Sequence, residues 1–250
     1  YSAYTLEITP SKIENLEEII DQLGTIVPIA TKDRKRFRKL MEESKGFESL
    51  PIRTRLTDEE VARFSVQQFR FPGVEVKARL YRNYPYGELA SHVIGYIGRI
   101  NETEKNELKN SDDEGNYRGT EYIGKLGIEQ AYEHLLHGIT GVEELETSAG
   151  GRAVRLLNSN PATPGATIQL SIDIKLQYLI ETMYGNRRGA LVAFNPKNGE
   201  ILALVSKPTF DPNLFVEGID SENWKALNHS IDKPLLNRAI RGTYPPGSTY

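Results

Sequence analysis

Apolar and polar residues alternate with a period of two in two stretches of the first eighty residues. Tyr4, Leu6 and Ile8 alternate with polar neighbours, which predicts a half-buried strand that ends before Pro10. Residues 74–80 repeat the alternation. Because a strand with this pattern places its apolar side chains on one face, we predict a sheet whose other face is in water.

Two helices are predicted in the same region by capping-box patterns followed by apolar residues at helical spacing. Ser11 and Glu14 have the capping-box spacing, and Thr57 and Glu60 repeat it. The apolar stripes are Ile13, Leu16, Ile19, Ile20 and Leu23 in the first helix, and Val61 and Phe64 in the second.

A basic run lies between these two patterns, at residues 32–39. Phe37, Leu40 and Met41 keep helical spacing beneath it. Runs of this kind usually form the solvated face of a helix, and we favour that interpretation. Contact with an anionic lipid or polymer near a membrane surface is the functional alternative.

The stretch 84–98, YPYGELASHVIGYIG, is dense in aromatic residues and glycines, which predicts close backbone packing in an irregular connector. Residues 126–137 then have the pattern of an amphipathic helix that ends at Gly138. His134 and His137 lie three residues apart, but two histidines alone do not make a metal site. We predict no metal site and interpret this half as a structural or docking module.

A hairpin and a linker follow. Gly150-Gly151 predicts a hairpin turn between residues 142–149 and 152–157. Residues 158–166, NSNPATPGA, contain two prolines, a glycine and no large apolar side chain, which predicts a linker. We therefore expect a domain boundary between residues 157 and 158.

Beyond the linker the pattern changes to that of buried elements. Residues 167–172 predict a strand, and Asp173 can cap a helix that ends at Gly185. The apolar stripe of this helix is Leu176, Leu179, Ile180 and Met183. Residues 189–206 predict two strands joined by the turn PKNG at 196–199. Because both strands are apolar on both faces, we predict an antiparallel sheet covered by helices.

The composition excludes several classes of function. The 31 Lys and Arg residues against 34 Asp and Glu give a net charge of −3, which argues against a nucleic-acid partner. There is no cysteine, so a disulfide framework and a cysteine-ligated metal are excluded. No apolar run approaches the ~20 residues of a membrane span. The first residues already have the pattern of a strand, and we expect any membrane anchor to lie upstream of them.

The candidate chemistry lies at Ser248, which follows the turn Pro245-Pro246-Gly247. A serine after such a turn is most often a helix N-cap. Alternatively, it is a nucleophile at a helix N-terminus, where backbone N–H groups and the positive end of the dipole stabilise an oxyanion. A serine nucleophile needs a base, which in the S-x-x-K arrangement is a lysine one turn later. That lysine would follow Tyr250, so local sequence alone leaves both interpretations open.

Several segments resemble the penicillin-binding proteins, most closely the class B, elongation-type transpeptidases of the penicillin-binding protein 2 group. The segments of the second half are DIKLQYLIE, RRGALVAFNPKNGEILALVSKPTFDPNLF and LLNRAIRGTYPPGST. Those of the first half are YPYGELASHVIGYIGRIN, YIGKLGIEQAYEHLLHG and AGGRAVRLL, which resemble the family's non-catalytic pedestal, or dimerisation domain. The resemblance runs in order through nearly the whole chain and is weakest over the first sixty residues.

The resemblance implies an α+β fold in two parts. Residues 1–157 would form a mixed α/β pedestal of the dimerisation type. Residues 158–250 would form the N-terminal part of a transpeptidase domain, with an antiparallel sheet flanked by helices.

The resemblance also implies D,D-transpeptidation of peptidoglycan stem peptides without a cofactor. Ser248 would attack the penultimate D-alanine carbonyl, and its backbone N–H would form half of the oxyanion hole. β-Lactams would acylate the same serine. The S-x-x-K lysine, the S-x-N motif and the K-T-G strand would lie beyond Tyr250, so we do not expect residues 1–250 alone to turn over.

The partners implied by the family are a RodA-like glycosyltransferase, an MreC-like scaffold and the bacterial inner membrane, on its periplasmic face. Two alternatives to the transpeptidase remain. One is a non-catalytic docking module of the elongation complex. The other is a serine hydrolase such as a β-lactamase or carboxypeptidase, against which the long pedestal argues.

Overall fold

The computed structural model describes residues 1–43, 49–117, 120–147, 153–216, 218–245 and 247–249. The chain divides into two compact units, Tyr1–Arg82 and Asn83–Tyr250. Each unit has its own sheets and helices.

The first unit is a three-stranded antiparallel sheet with helices. Its elements, in chain order, are β1 (Ser2–Ile8), α1 (Leu16–Gly24), α2 (Thr31–Glu43), β2 (Leu50–Leu56), α3 (Asp58–Gln67) and β3 (Val74–Leu80). The sheet order is β2-β1-β3, so the first strand of the chain is the central one. The strands predicted at the beginning of the chain and at residues 74–80 are confirmed.

One of the two predicted capping boxes is confirmed and the other is wrong. Thr57 caps α3, and Glu60 returns the hydrogen bond to the Thr57 backbone N–H. Ser11 instead lies in a short 3-10 turn, and Asn15 caps α1 by accepting from the Glu18 backbone N–H at 3.4 Å. Pro10 favours the earlier turn because its fixed φ suits a first helical position.

The first unit encloses an apolar core between the sheet and its helices. The fully or nearly buried members are Leu6, Ile8, Ile20, Leu23, Ile26, Val27, Phe37, Leu40, Leu50, Ile52, Leu56, Phe64, Phe71 and Val74. The apolar positions picked out by the strand and helix periods supply most of this set, as expected when one face of each element is buried.

The basic run forms part of α2, and its charged residues lie mostly on the solvated face. Arg34 contacts Asp21 at 2.6 Å, Arg38 contacts Glu17 at 2.9 Å, and Arg36 contacts Asp33 at 3.2 Å. These ion pairs within the unit favour the solvated-face interpretation over lipid contact.

The second unit is built from short helices and two-stranded antiparallel ribbons. Its helices are α4 (Ser91–Ile94), α5 (Glu102–Lys109), α6 (Gly127–Ala131), α7 (Glu133–Leu136), α8 (Ile174–Tyr184), α9 (Ser221–Asn228) and α10 (Arg238–Arg241). Its strands are β4 (Ile97–Arg99), β5 (Tyr122–Gly124), β6 (Val142–Thr147), β7 (Ala153–Asn160), β8 (Gly189–Phe194) and β9 (Ile201–Lys207). They pair as β4-β5, β6-β7 and β8-β9, which confirms both predicted hairpins. The predicted turn residues Gly150 and Gly151 lie outside the described residues.

Three predictions for this unit are wrong. Residues 126–137 form two short helices that break at Tyr132, not one. Residues 167–172 are not a strand. Residues 158–166 are not a loose linker: Asn160 ends β7, and Thr163 pairs with Ile139 through two backbone hydrogen bonds.

Glycines in the second unit allow backbone segments to touch. A Cβ on Gly95 would lie 1.7 Å from the Leu126 carbonyl oxygen, and one on Gly165 would lie 2.0 Å from that of Leu136. No side chain fits at such distances. The glycine-rich composition that predicted an irregular connector and a linker therefore reflects close backbone contact.

Candidate active site

Ser248 lies on an exposed turn of 3-10 geometry, Gly247–Thr249. Gly247 has φ +57°, a left-handed conformation that disfavours any other residue type, which explains why glycine precedes the serine. Ser248 itself has φ −86° and ψ 19°. Ser248 is exposed, on a turn whose shape the preceding glycine permits.

The helix that precedes this turn is fixed to the β8–β9 hairpin. Ser206 of β9 is buried; its hydroxyl accepts from the Arg238 backbone N–H at 2.9 Å and donates to the Leu236 carbonyl at 3.1 Å. The Arg238 guanidinium also donates to the carbonyls of the turn before it, including that of Lys233 at 3.2 Å. These bonds attach the N-terminus of α10 to the sheet.

The other anchor of α10 comes from the 84–98 segment. The Nε2 of His92 lies 2.8 Å from the Pro234 carbonyl oxygen, and the His92 carbonyl accepts from the Asn237 side chain at 3.4 Å. Because a carbonyl oxygen only accepts, Nε2 must carry the proton. Burial lowers the pKa of His92 to about 4, assisted by the Arg238 charge and opposed by the hydrogen bond to Pro234. His92 is therefore neutral at physiological pH.

The 84–98 segment is held in place by buried polar side chains of α8. The Glu181 carboxylate accepts from the Ala90 backbone N–H at 2.9 Å and from the Gln177 side chain at 2.8 Å. Gln177 also bonds both the N–H and the C=O of Leu204 at 2.9 Å, the pattern that a neighbouring strand would supply. The outer edge of β9 is thereby capped by a side chain.

Within residues 1–250, α8 buries two polar side chains, while its predicted apolar stripe is half-buried at Leu176 and Ile180 and exposed elsewhere. Its predicted apolar stripe included Leu179 and Met183, which are 55% and 66% exposed, whereas Gln177 and Glu181 are buried. The predicted N-cap Asp173 and stop Gly185 are confirmed. Sequence periodicity therefore located the helix but not the face that it buries.

Aromatic rings complete the attachment of the 84–98 segment. Phe210 meets the His92 ring edge to face at 5.2 Å, and Tyr96 stacks on Phe215 at 4.0 Å. Asn213 bonds the Tyr84 backbone at both its N–H, at 3.0 Å, and its C=O, at 2.9 Å. These contacts combine polar and aromatic side chains, and they join residues that lie far apart in the chain.

Sequence reasoning proposed Ser248 as the candidate nucleophile and did not single out His92, Gln177, Glu181 or Asn237. The density of glycine and aromatic residues at 84–98 was the available signal, and it indicated close packing without naming a partner. The predicted irregular connector is thus a packed part of the second unit.

The two histidines of the 126–137 region are not brought together in a metal-ligand cluster. His134 is exposed, and the Nε2 of His137 lies 3.2 Å from the Thr120 hydroxyl while its ring stacks on Tyr117 at 4.2 Å. Burial, with Glu133 nearby, raises the pKa of Tyr117. Within the described ranges, no group of three or more His, Cys, Asp or Glu side chains could hold a metal ion. Those ranges also contain no helix long and apolar enough to cross a bilayer.

Comparison with protein-family models identifies two successive matches. The model described as the penicillin-binding protein dimerisation domain matches residues 1–170, and the model described as the penicillin-binding protein transpeptidase domain matches residues 189–250. The second match contains the hairpin, α10 and Ser248.

A curated relative is the peptidoglycan D,D-transpeptidase MrdA of Escherichia coli (strain K12). It is 47% identical over 246 residues, which are 98% of this chain and 39% of that protein. The chain thus spans well under half of the relative's length.

Two solved structures of penicillin-binding protein 2 are similar as well. The one from Helicobacter pylori, in complex with MreC, has a TM-score of 0.80 at 26% identity and covers 99% of this chain and 46% of its own. The one from Pseudomonas aeruginosa is 47% identical, with a TM-score of 0.56 over 68% of this chain and 33% of its own. The fold class implied by the resemblance, α+β with a dimerisation domain before the start of a transpeptidase domain, is confirmed. The chain therefore belongs to the penicillin-binding proteins.

Proposed function

We propose that the full-length protein is a peptidoglycan D,D-transpeptidase and that Ser248 is its acyl-accepting nucleophile. The observation that carries the proposal is an exposed serine on a glycine-permitted turn, within a segment that matches the transpeptidase domain. The relatedness to a D,D-transpeptidase along 98% of the chain supports it.

In the proposed reaction the Ser248 Oγ attacks the carbonyl carbon of the penultimate D-alanine. The lysine expected one helical turn later accepts the hydroxyl proton, and the Ser248 backbone N–H stabilises the developing oxyanion. The C–N bond to the terminal D-alanine then breaks, and its amine leaves with a proton. An amine of a neighbouring stem peptide attacks the ester and restores the serine hydroxyl. No step requires a metal or cofactor.

Labelling with a fluorescent penicillin tests this assignment. Full-length protein is incubated with the probe, digested, and mapped for the acyl mass. We expect the adduct on the peptide that carries Ser248, and its loss in Ser248→Ala. Thr243→Ala, which removes an exposed hydroxyl before the same turn, is the matched control and should label normally. A folded full-length protein that is never acylated would overturn the proposal.

The lifetime of the acyl-enzyme distinguishes a transpeptidase from the serine-hydrolase alternative. A transpeptidase holds the penicilloyl ester for many minutes in water, because its second step needs an amine acceptor. Rapid loss of the adduct in water alone would instead identify a β-lactamase.

We also propose that the dimerisation-type region contacts an MreC-like scaffold. The support is the similarity, along 99% of this chain, to a penicillin-binding protein 2 solved in complex with MreC. Binding of the soluble part of the organism's MreC-like protein, measured with full-length protein, should be unchanged in Ser248→Ala. Absence of binding would leave the catalytic proposal intact.

The remaining proposals concern the whole protein. It would be anchored in the inner membrane by an upstream segment, act on its periplasmic face, and work with a RodA-like glycosyltransferase. The transpeptidase part would begin near residue 158, in the last residues of β7. Limited proteolysis with mapping of the first cleavage sites tests that boundary.

A further inference from the structure

The start of α10 is held between two parts of the second unit. On one side Ser206 bonds the backbone on both sides of Asn237, through the Leu236 carbonyl and the Arg238 N–H. On the other side, His92 bonds the Pro234 carbonyl and receives the Asn237 amide. The Asn237 oxygen meanwhile caps α10 by accepting from the Ala239 N–H at 3.1 Å. One amide side chain therefore links the His92 backbone to the helix.

Six residues, 242–247, connect α10 to Ser248. Gly242 ends the helix so tightly that a Cβ there would lie 2.4 Å from the Arg238 carbonyl oxygen and 2.8 Å from the Tyr244 ring. Pro245, in the segment that follows, has a fixed φ. A displacement of α10 is therefore expected to reach the serine instead of being absorbed by the connection.

His92 lies outside the transpeptidase match, but it is buried and closely packed. It is 5% exposed and packs edge to face on Phe210. Ala90, two residues before it and the N-cap of α4, has the left-handed φ of +55°. A non-glycine residue pays about 1 kcal/mol for that conformation, and the hydrogen bond from its N–H to Glu181 stabilises it. Strain of this kind persists where the surroundings fix the backbone.

We propose that His92 is a positioning residue for Ser248: its donated Nε2–H and its backbone carbonyl set the start of α10 and hence the place of the nucleophile. The inference rests on the proposed function, because it assigns a role in acylation. It also assigns a task to the 84–98 segment, which lies within the dimerisation-domain match, far in sequence from the serine that it positions.

Three substitutions separate the hydrogen bonds from the packing. His92→Phe keeps a ring against Phe210 and removes the donor to Pro234, whereas His92→Gln places an amide N–H at the equivalent of Nε2. Asn237→Asp keeps an oxygen that can cap α10 and removes the donor to the His92 carbonyl. The matched control is Tyr117→Phe, which deletes the hydroxyl that bonds Glu133 at 3.2 Å in the other polar cluster of this unit.

The primary measurement is acylation by a fluorescent penicillin in full-length protein, resolved into the dissociation constant and the acylation rate constant, each corrected for the folded fraction. We expect His92→Phe and Asn237→Asp to lower the rate constant at least about tenfold with little change in the dissociation constant. His92→Gln should restore most of the rate, and Tyr117→Phe should match wild type. Equal rates in wild type and His92→Phe, or no rescue by glutamine in a folded variant, would overturn the inference while leaving Ser248 as the nucleophile.

Hydrogen exchange provides a readout that does not depend on activity. We expect His92→Phe to speed exchange at Arg241 and Gly242, whose N–H groups bond the first turn of α10, with no change in the β6–β7 hairpin. Unchanged exchange at α10 would refute the structural link. If wild-type protein is folded but never acylated at Ser248, the proposed function fails and the positioning role fails with it.

Discussion

The two compact units stabilise themselves in different ways. Among the described residues, the first unit has fourteen buried apolar side chains in one cluster within 82 residues. The buried apolar set of the second unit is smaller, although that unit is twice as long: Tyr84, Ala90, Ala203, Val205, Phe210, Phe215 and Val216. Its segments are joined instead by side-chain-to-backbone hydrogen bonds and glycine contacts. Within residues 1–250, apolar periodicity therefore accounts for the core of the first unit, whereas polar side chains and glycine contacts connect the segments of the second.

The largest effect on stability should follow from creating a cavity in the core of the first unit. Phe37 is fully buried, so Phe37→Ala should lower the free energy of unfolding by about 3–5 kcal/mol. Phe69→Ala, at a side chain that is 85% exposed, should change it by less than about 0.5 kcal/mol. Urea unfolding followed by circular dichroism measures both. Trp224, the chain's one tryptophan, lies in the second unit, so its fluorescence follows the unfolding of that unit separately.

In the second unit a single methyl group should have a comparable effect. Gly95→Ala places a Cβ 1.7 Å from the Leu126 carbonyl at a φ of +77°, and we expect a loss of about 3 kcal/mol. Gly87 also has a positive φ, +55°, but open space around it, so Gly87→Ala should cost only about 1 kcal/mol. Trp224 fluorescence during urea unfolding reports the difference. Equal costs would mean that backbone contact does not stabilise this unit.

The third prediction concerns the hydrogen bonds between the Gln177 side chain and the outer edge of β9. Gln177→Leu leaves the Leu204 N–H and C=O without their partner, and we expect a loss of about 2 kcal/mol. Thr182→Ala, one turn along the exposed side of α8, should fall within about 0.5 kcal/mol of wild type. A Gln177→Leu variant as stable as wild type would show that burial of apolar surface outweighs these hydrogen bonds.

The smallest effect is a pH dependence specific to His92. Its pKa in the folded state, about 4, lies below the unfolded value of about 6.5, because burial disfavours the charged ring. The unfolded state therefore binds the proton first as the pH falls, and stability is lost between pH 6.5 and 4. At pH 5.5 this amounts to about 1 kcal/mol. The difference in stability between pH 7 and 5.5 should be smaller by that amount in His92→Gln. An unchanged difference would contradict the lowered pKa.

Local sequence was sufficient to predict those features that depend only on contacts between neighbouring residues. The Thr57–Glu60 capping box, the Asp173 cap and the β8–β9 hairpin involve neighbours within a few residues, and each is confirmed. The prediction failed at Ser11 because a nearby proline and Asn15 offered a better start. It failed again at residues 158–166, where glycine and proline permit tight packing as readily as a free linker.

The sequence by itself determined the amphipathic elements of the first unit, the hairpins of the second and Ser248 as the candidate nucleophile. Only the tertiary structure decided that α8 buries its polar side chains, that Gln177 takes the place of a strand, and that His92 holds α10. The reason is physical. The bonds of His92 to Pro234 and of Asn237 to His92 join residues 142 and 145 positions apart, and a single polar pair at such separation leaves no periodic trace in the chain.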